Sequence, residues 1–394
     1  MKILLVHNYT GDYAVGGESQ VFEQEAELLR KQGHEVREFR CTNNDLLKRG
    51  ICRKIKAFYD APWSKYGYGL VKEQIDGFKP DLVHFHNFFF VLSPSVFHAA
   101  KDCGVPSVVT LHNYRWVSPC SQLMRNGEVC ERCVGKNPWR MMWYRCYKNS
   151  FFASLLRYRI YYLGKMKRQW HKMPDAVIAL TEFARQKMIA SDVPQEKIFV
   201  KPNYVDDPLL QREQRPQGDY AIFLGRLSKE KGVDVLIDAW KAVDYPLVVV
   251  GGGPMEEQLK KNAPGNVTFV GEKSHEESMD FLLNSAFMVF PSVWYEGFGL
   301  TLIESLACQR PVIASDLGFR SEIIRHDKTG YLYDAYSHDD LAAKARQMIS
   351  DREACQKMGE NGRQLYLEKY TPEKNYPTLM SIYEKAIENF QKNQ

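Results

Sequence analysis

Tyr220-Ala221-Ile222-Phe223-Leu224-Gly225-Arg226-Leu227-Ser228-Lys229-Glu230-Lys231-Gly232 is an apolar run that stops at a glycine and passes into a charged loop. Five apolar residues closed by glycine read as a buried strand. The loop leaving the strand carries Arg226 and, five residues on, Lys231. Two cations so placed can meet one anion: Arg offers a planar fork suited to phosphate, Lys a compact point charge. A solvated charged turn ahead of a helix is the alternative reading of these residues.

The same unit recurs on both sides. Toward the C-terminus, 246–250, 266–270, 287–290 and 311–314 are short apolar strands, each followed by Gly/Pro punctuation and a helical segment. Toward the N-terminus, strands are expected at 2–6, 34–39, 81–85, 107–111 and 177–180. Between the first two, Val21, Phe22, Glu25, Leu28 and Leu29 recur at helical spacing, and Gly33 marks the stop. His84 and His86 alternate along one of these strands, which puts both on one face with no metal needed. Strands alternating with helices imply parallel βαβ units. The pattern breaks over 202–219, which is rich in turn formers. The expectation is therefore an α/β protein of two doubly wound, Rossmann-like domains, 1–203 and 204–371, facing across a cleft, with a last helix in 372–394. Folds of this kind bind ligands outside the carboxyl ends of their strands.

Composition agrees with a globular, multidomain chain: 394 residues, 44% hydrophobic and 26% charged. No run approaches the roughly 18 apolar residues of a membrane span, and the start Met1-Lys2-Ile3-Leu4-Leu5-Val6-His7 reads as a strand, not a signal peptide. A cytoplasmic protein is expected. Charge is uneven. Residues 1–200 carry 30 basic and 19 acidic side chains, residues 201–394 carry 23 and 29, and 132–174 has eleven Lys/Arg with no Asp or Glu.

A second constellation is Glu296-Gly297-Phe298-Gly299-Leu300-Thr301-Leu302-Ile303-Glu304, after a strand ending in Pro291-Ser292. Two glycines make a turn, a helix starts, and Glu304 lies about one and a half turns in. Such a helix start aims free N–H groups at an anion. An ordinary helix cap with surface glutamates is the alternative.

Together these stretches resemble the signatures of the family 4 retaining glycosyltransferases of GT-B fold. The resemblance rests on the E-x7-E pair Glu296/Glu304 and on Gly225-Arg226-Leu227 with Glu230-Lys231-Gly232. Further matches follow in order: Gly16-Gly17, Thr110-Leu111-His112-Asn113, Lys201-Pro202-Asn203-Tyr204-Val205-Asp206, Gly251-Gly252-Gly253-Pro254 and Thr329-Gly330-Tyr331-Leu332. Tyr204 departs from the glycine usual in the family's hinge motif. The resemblance implies that Arg226 and Lys231 bind the donor diphosphate and stabilise the departing nucleotide, with no cofactor or metal needed for catalysis. It implies that Glu296 and His112 lie near the donor sugar and that Glu304 accepts from the ribose hydroxyls. Further donor contacts are implied for Gly16, Gly17, Asn203, Gly225, Gly252, Gly297, Phe298, Gly299 and Leu300. The last helix is expected to return to the N-terminal domain, as in the family.

Two features of the insert at about 113–172 stand outside these motifs. Cys120, Cys130, Cys133 and Cys146 give C-x9-C-x2-C-x12-C, which can supply a structural zinc site of four thiolates; free thiols and disulfides are the alternatives. Residues 132–174 also interleave eleven cations with ten aromatics, and 45–68 repeats the theme. Basic side chains attract anionic headgroups and Trp/Tyr favour the interface. That suggests peripheral binding to an anionic membrane, on the inner face of the plasma membrane. The alternative is an aromatic core beneath a solvated basic face. No nucleic-acid motif accompanies the charge. The combined expectation is transfer of a sugar from a nucleotide-diphosphate donor, with uracil the favoured base and guanine the alternative, to a lipid-linked or other glycan acceptor in polysaccharide or glycolipid synthesis. A nucleotide-sugar epimerase and a non-catalytic GT-B partner are the rivals. The second need not keep Arg226, Lys231, Glu296 and Glu304 together.

Overall fold

The structure is a computed structural model that describes residues 1–9, 16–44, 59–89, 91–167, 170–210 and 216–393. It divides into two compact units. The first comprises Met1–Leu123, Cys130–Pro202 and Asn375–Gln394; the second comprises Met124–Val129 and Asn203–Lys374.

In the first unit, β1 (Lys2–Tyr9), α1 (Gly17–Lys31), β2 (Glu35–Thr42), α2 (Lys65–Phe78), β3 (Leu82–Asn87), α3 (Ser95–Asp102) and β4 (Ser107–Leu111) alternate as the sequence predicts. The hairpin strands β5 (Met124–Arg125) and β6 (Glu128–Val129) and the helix α4 (Phe151–Tyr161) follow. Then come β7 (Ala176–Ala179), α5 (Glu182–Ile189) and β8 (Ile198–Val200). The described strands pair in parallel in the order β2-β1-β3-β4-β7-β8. β1 and β3 are central, so both of their faces are buried, which is why β1 carries the unbroken apolar run Ile3-Leu4-Leu5-Val6. α1 buries Val21, Phe22, Ala26, Leu28 and Leu29 on the sheet, and Glu25 among them.

The second unit repeats the plan: β9 (Ala221–Leu224), α6 (Val233–Trp240), β10 (Leu247–Val250), α7 (Glu256–Asn262), β11 (Val267–Gly271), α8 (His275–Leu283), β12 (Phe287–Phe290), α9 (Leu300–Ala307), β13 (Val312–Ser315), α10 (Arg320–Ile323), β14 (Gly330–Tyr333), α11 (His338–Ser350) and α12 (Arg352–Lys369). Its parallel sheet runs β11-β10-β9-β12-β13-β14. In each sheet the chain reverses its direction of travel beside the first strand, between β1 and β3 and between β9 and β12. The loops at the carboxyl ends of these strands are where such folds hold ligands.

Sequence periodicity does not find β8 and β14. They are the edge strands that end each sheet, of three and four residues. The last helix, α13 (Pro372–Lys392), places Leu379, Ile382, Tyr383 and Ala386 in one core with Ile3, Leu5, Phe22, Leu82 and Val108 of the first unit.

Candidate functional site

In the second unit, β9 and β12 end side by side and their loops are locked together. Gly232 sits at φ 64, and a Cβ there would stand 2.1 Å from the carbonyl oxygen of Pro291. Only glycine allows both the left-handed turn and that approach. The backbone N–H of Val293 donates to the carbonyl of Glu230 across 3.0 Å, closing the contact from the other side.

This contact delivers Lys231 to Glu296. Its ammonium donates to Glu296 Oε1 at 2.9 Å, and the Ser292 hydroxyl donates to the same oxygen. Burial alone would push the Glu296 carboxyl up. Lys231 and Arg320, with the Ser292 hydrogen bond, outweigh it and hold the group below the usual carboxylate range. Arg320 is fully buried, donates to the carbonyls of Leu317 and Trp294, and lies over the Phe290 ring at 5.3 Å. Lys231 lies over the same ring at 5.9 Å. Arg226, by contrast, is exposed, and its side chain has no hydrogen-bond or ion-pair partner among the described residues. One cation of the loop is thus paired with a carboxylate, and the other is exposed to solvent.

Gly297, Phe298 and Gly299 make the turn into α9. Gly299 has φ 79, and a Cβ there would press on Phe290 and Phe319. Phe298 is buried and stacks on Phe319. Leu300 opens the helix and Glu304 lies on its buried side. Burial pushes the Glu304 carboxyl above its usual value, opposed by His275, whose Nδ1 is 3.8 Å away. Gly225 directly precedes Arg226, and Gly252 sits partly exposed after β10. Asn203, also in this unit, is buried with its Oδ1 unpartnered among the described residues.

In the first unit, Gly16 and Gly17 are exposed at the start of α1. Gly16 has an extended backbone and open space where a Cβ would stand, so the local fold does not itself demand glycine there. His112 follows β4 directly. Its Nε2 lies 3.1 Å from His86 Nδ1 on β3. Burial, with His86 and His7 alongside, holds the His112 imidazole well below its usual range.

Two family models cover most of this chain: the one described as "Glycosyltransferase Family 4" matches residues 15–208, and "Glycosyl transferases group 1" matches 210–365. The chain belongs to glycosyltransferase family 4. It is 30% identical over 216 residues to an uncharacterized glycosyltransferase of Methanocaldococcus jannaschii, covering 53% of this chain and 59% of that protein. It is 28% identical over 177 residues to the O-antigen chain mannosyltransferase C of Escherichia coli, covering 43% and 48%. The chain thus spans about half the length of the curated relatives it matches. Among solved structures, Anabaena HepE in complex with UDP and glucose superposes with TM-score 0.65 at 16% identity, covering 98% of this chain and 99% of that one. The fold is GT-B.

Several residues around the family 4 motifs escape the sequence reading. Ser292, Phe290 and Arg320 surround the Lys231–Glu296 pair, and no motif names them. Around His112 the missed partners are His86, Glu25 and Lys201. Glu25 did carry a signal: it is a carboxylate on the apolar stripe of α1, where burial requires a charged or hydrogen-bonding partner.

The insert behaves in two ways. Among the described residues, the only His/Cys/Asp/Glu group whose potential ligand atoms all lie within 4.8 Å is Glu25, His84 and His86. Lys201 pairs with Glu25 at 3.0 Å, so an ammonium already supplies the cation there. No three of the thiols of Cys120, Cys130, Cys133 and Cys146 come that close, although they share one neighbourhood. Burial, then the nearby thiol of Cys120, with Cys146 and Cys130 further contributing, pushes Cys133 up to about 12.

The aromatics divide. Tyr161 and Trp170 are core residues, and Trp170 packs on Trp116, Phe88 and Phe89. Trp139, Trp143, Tyr144 and Phe152 are exposed, as are Arg132, Lys136, Arg140, Arg145 and Lys148. Of the basic stretch 45–68, residues 45–58 lie outside the described residues, while Tyr59 is exposed beneath the Arg159 guanidinium. Among the described residues no helix is long and apolar enough to cross a membrane.

Proposed function

We propose that this protein is a retaining glycosyltransferase that moves a sugar from a nucleotide-diphosphate donor, UDP-linked by preference, to an acceptor hydroxyl. The observation that carries the reading is the preset Lys231 beside Arg226, whose side chain has no partner among the described residues, at the carboxyl ends of β9 and β12. A diphosphate needs two such cations, and one held rigidly in advance costs little reorganisation when charge develops. A solved structure of the same fold holds UDP and glucose, which supports the nucleotide-sugar class.

In this proposal Arg226 and Lys231 bind the diphosphate, and Glu304 accepts from the ribose hydroxyls. Glu296 and His112 touch the transferred sugar. Asn203, Gly16, Gly17, Gly225, Gly252, Gly297, Phe298, Gly299 and Leu300 complete the donor contacts. The bond from the anomeric carbon to the diphosphate oxygen breaks as the acceptor oxygen approaches the same face. The acceptor proton passes to the leaving diphosphate, whose charge Arg226 and Lys231 stabilise. These two side chains supply the positive charge that a metal supplies elsewhere.

The acceptor proposed is a lipid-linked glycan at an anionic membrane surface, as in polysaccharide or glycolipid synthesis. Exposed Trp139, Trp143 and Phe152 among exposed cations support it. A structural zinc on Cys120, Cys130, Cys133 and Cys146 is proposed from their spacing. No three of these sulfurs lie within 4.8 Å of one another, so a shared ion would need them closer.

The test is nucleotide release from UDP-, GDP- and ADP-sugars, with and without membrane lipid, by wild type and Lys231→Ala. Release from one donor that lipid stimulates and the substitution abolishes is the expected result. No release from any donor by folded protein would overturn the proposal.

A further inference from the structure

Beneath His112 lies a buried polar chain whose central members, Glu25 and His86, stand in none of the motifs. Glu25 projects from α1 into the sheet and is 1% exposed. One carboxylate oxygen pairs with the ammonium of Lys201 at 3.0 Å, and Lys201 also donates to Asn375 Oδ1 at 3.0 Å. The other oxygen faces two imidazoles of β3: His84 Nδ1 at 2.9 Å and His86 Nε2 at 3.2 Å. His84 is fixed on its far side by Thr110 Oγ1 at 2.8 Å, and the Tyr383 hydroxyl lies 2.9 Å from its Nδ1. On its far side His86 meets His112, Nδ1 to Nε2 at 3.1 Å.

Proton positions follow from this geometry. An ionised carboxylate only accepts, so the nitrogens facing Glu25 must carry hydrogens. Lys201 already neutralises Glu25, and a second positive charge on buried His86 would stand uncompensated. His86 is therefore neutral, with its hydrogen on Nε2 and a lone pair on Nδ1. His112 must then donate from Nε2, which leaves its own Nδ1 as an acceptor.

The geometry points to a positioning relay: Lys201, Glu25 and His86 hold His112 in one tautomer and one orientation, with Nδ1 presented as a hydrogen-bond acceptor. The inference rests on the proposed role of His112 as a contact of the transferred sugar. With it, the ligand that this nitrogen fits is a hydroxyl that donates, not an oxygen that accepts. A tautomer set by a partner behind the ring is a general way of orienting an imidazole.

The test is nitrogen NMR of the imidazoles in histidine-labelled protein, with the His112 signals assigned by their loss in His112→Gln. The expected wild-type spectrum has an N–H-type Nε2 and a lone-pair Nδ1 at His112. His86→Leu, which removes the acceptor, should convert His112 to a tautomer mixture and lower kcat about tenfold or more. His86→Asn, whose amide oxygen can stand where Nδ1 stood, should restore both. A hydrogen on His112 Nδ1 in the wild type overturns the relay, as does an unmoved spectrum in folded His86→Leu. Activity of His112→Ala separates the two readings. A confirmed tautomer with unimpaired turnover in His112→Ala keeps the relay and removes the sugar contact.

Discussion

Lys231 donates to Glu296 across 2.9 Å, and the two residues lie on different loops that meet only because Gly232 has no side chain. The pair is a local arrangement of the second unit. Lys231 is a quarter exposed, and Glu296 keeps Ser292 and Arg320 when the lysine is removed. Lys231→Ala should therefore lower kcat about 10²–10³-fold, the scale of losing one preset transition-state donor. It should move Tm by only about 4 °C or less. Steady-state kinetics and calorimetry on the same preparation check it. A variant that turns over within a factor of three of wild type would remove Lys231 from the chemistry.

The Glu25–Lys201 pair predicts the opposite balance. Both side chains are 1% exposed. Lys201→Met leaves a buried carboxylate without its ammonium and should cost about 3–5 kcal/mol at neutral pH. Burial alone would raise the Glu25 carboxyl, but Lys201, His84 and His86 depress it well below the usual range. A depressed carboxyl stabilises the fold fully above its unfolded value, about 4.3, and loses that contribution as pH falls through its folded value. The gap between wild type and Lys201→Met should thus be widest near pH 7 and narrow as the pH falls below the usual carboxylate range. Urea midpoints across this range test it. A gap independent of pH would show that the lysine acts by packing alone.

The fold was legible because it depends on central strands and amphipathic helices, which leave strong periodic patterns. Residues 3–6 of β1, Ala221–Leu224 and Phe287–Phe290 are apolar on both faces because neighbours cover both faces. Edge strands such as Ile198–Val200 carry no such signal. Arg226, Lys231, Glu296 and Glu304 were legible because a strand, a glycine turn and a charged residue fall within one short window. The partners of His112 were not. Glu25, His86 and Lys201 meet from 61 to 176 positions apart, and only the packing of α1 on β3 and β8 brings them together. Spacing within the chain holds no record of that contact, although one carboxylate on an apolar stripe hints that a partner exists.

The cysteine proposal has a direct measurement. A zinc ion would replace thiol protons at Cys120, Cys130, Cys133 and Cys146, including the Cys133 proton that burial and its neighbours now hold up to about 12. Protein purified without chelator should carry about one zinc per chain by elemental analysis. Cys133→Ser should lose it and also lose thermal stability. Metal-free protein with four titratable thiols in this loop would make the spacing incidental.

The exposed aromatics of the insert should matter for where the protein works and not for the chemistry it performs. Trp143 and Phe152 are 68% and 77% exposed, and exposed Arg140, Arg145 and Lys148 lie close to them in the chain. Each large side chain moved out of water gains about 1.5–3 kcal/mol when fully buried, and each nearby cation adds about 1 kcal/mol at an anionic surface. The double variant Trp143→Ser/Phe152→Ser should bind phosphatidylglycerol vesicles at least about tenfold more weakly. Its turnover on a short soluble acceptor should match wild type, since neither side chain belongs to the proposed donor site. Wild-type binding should also fall with added salt, because the cationic share is screened while the aromatic share persists. Sedimentation with vesicles of anionic and of neutral lipid separates the two contributions. Equal binding to both lipids by wild type would remove the electrostatic half of the proposal. Unchanged binding by the double variant would show that these aromatics meet something other than a bilayer.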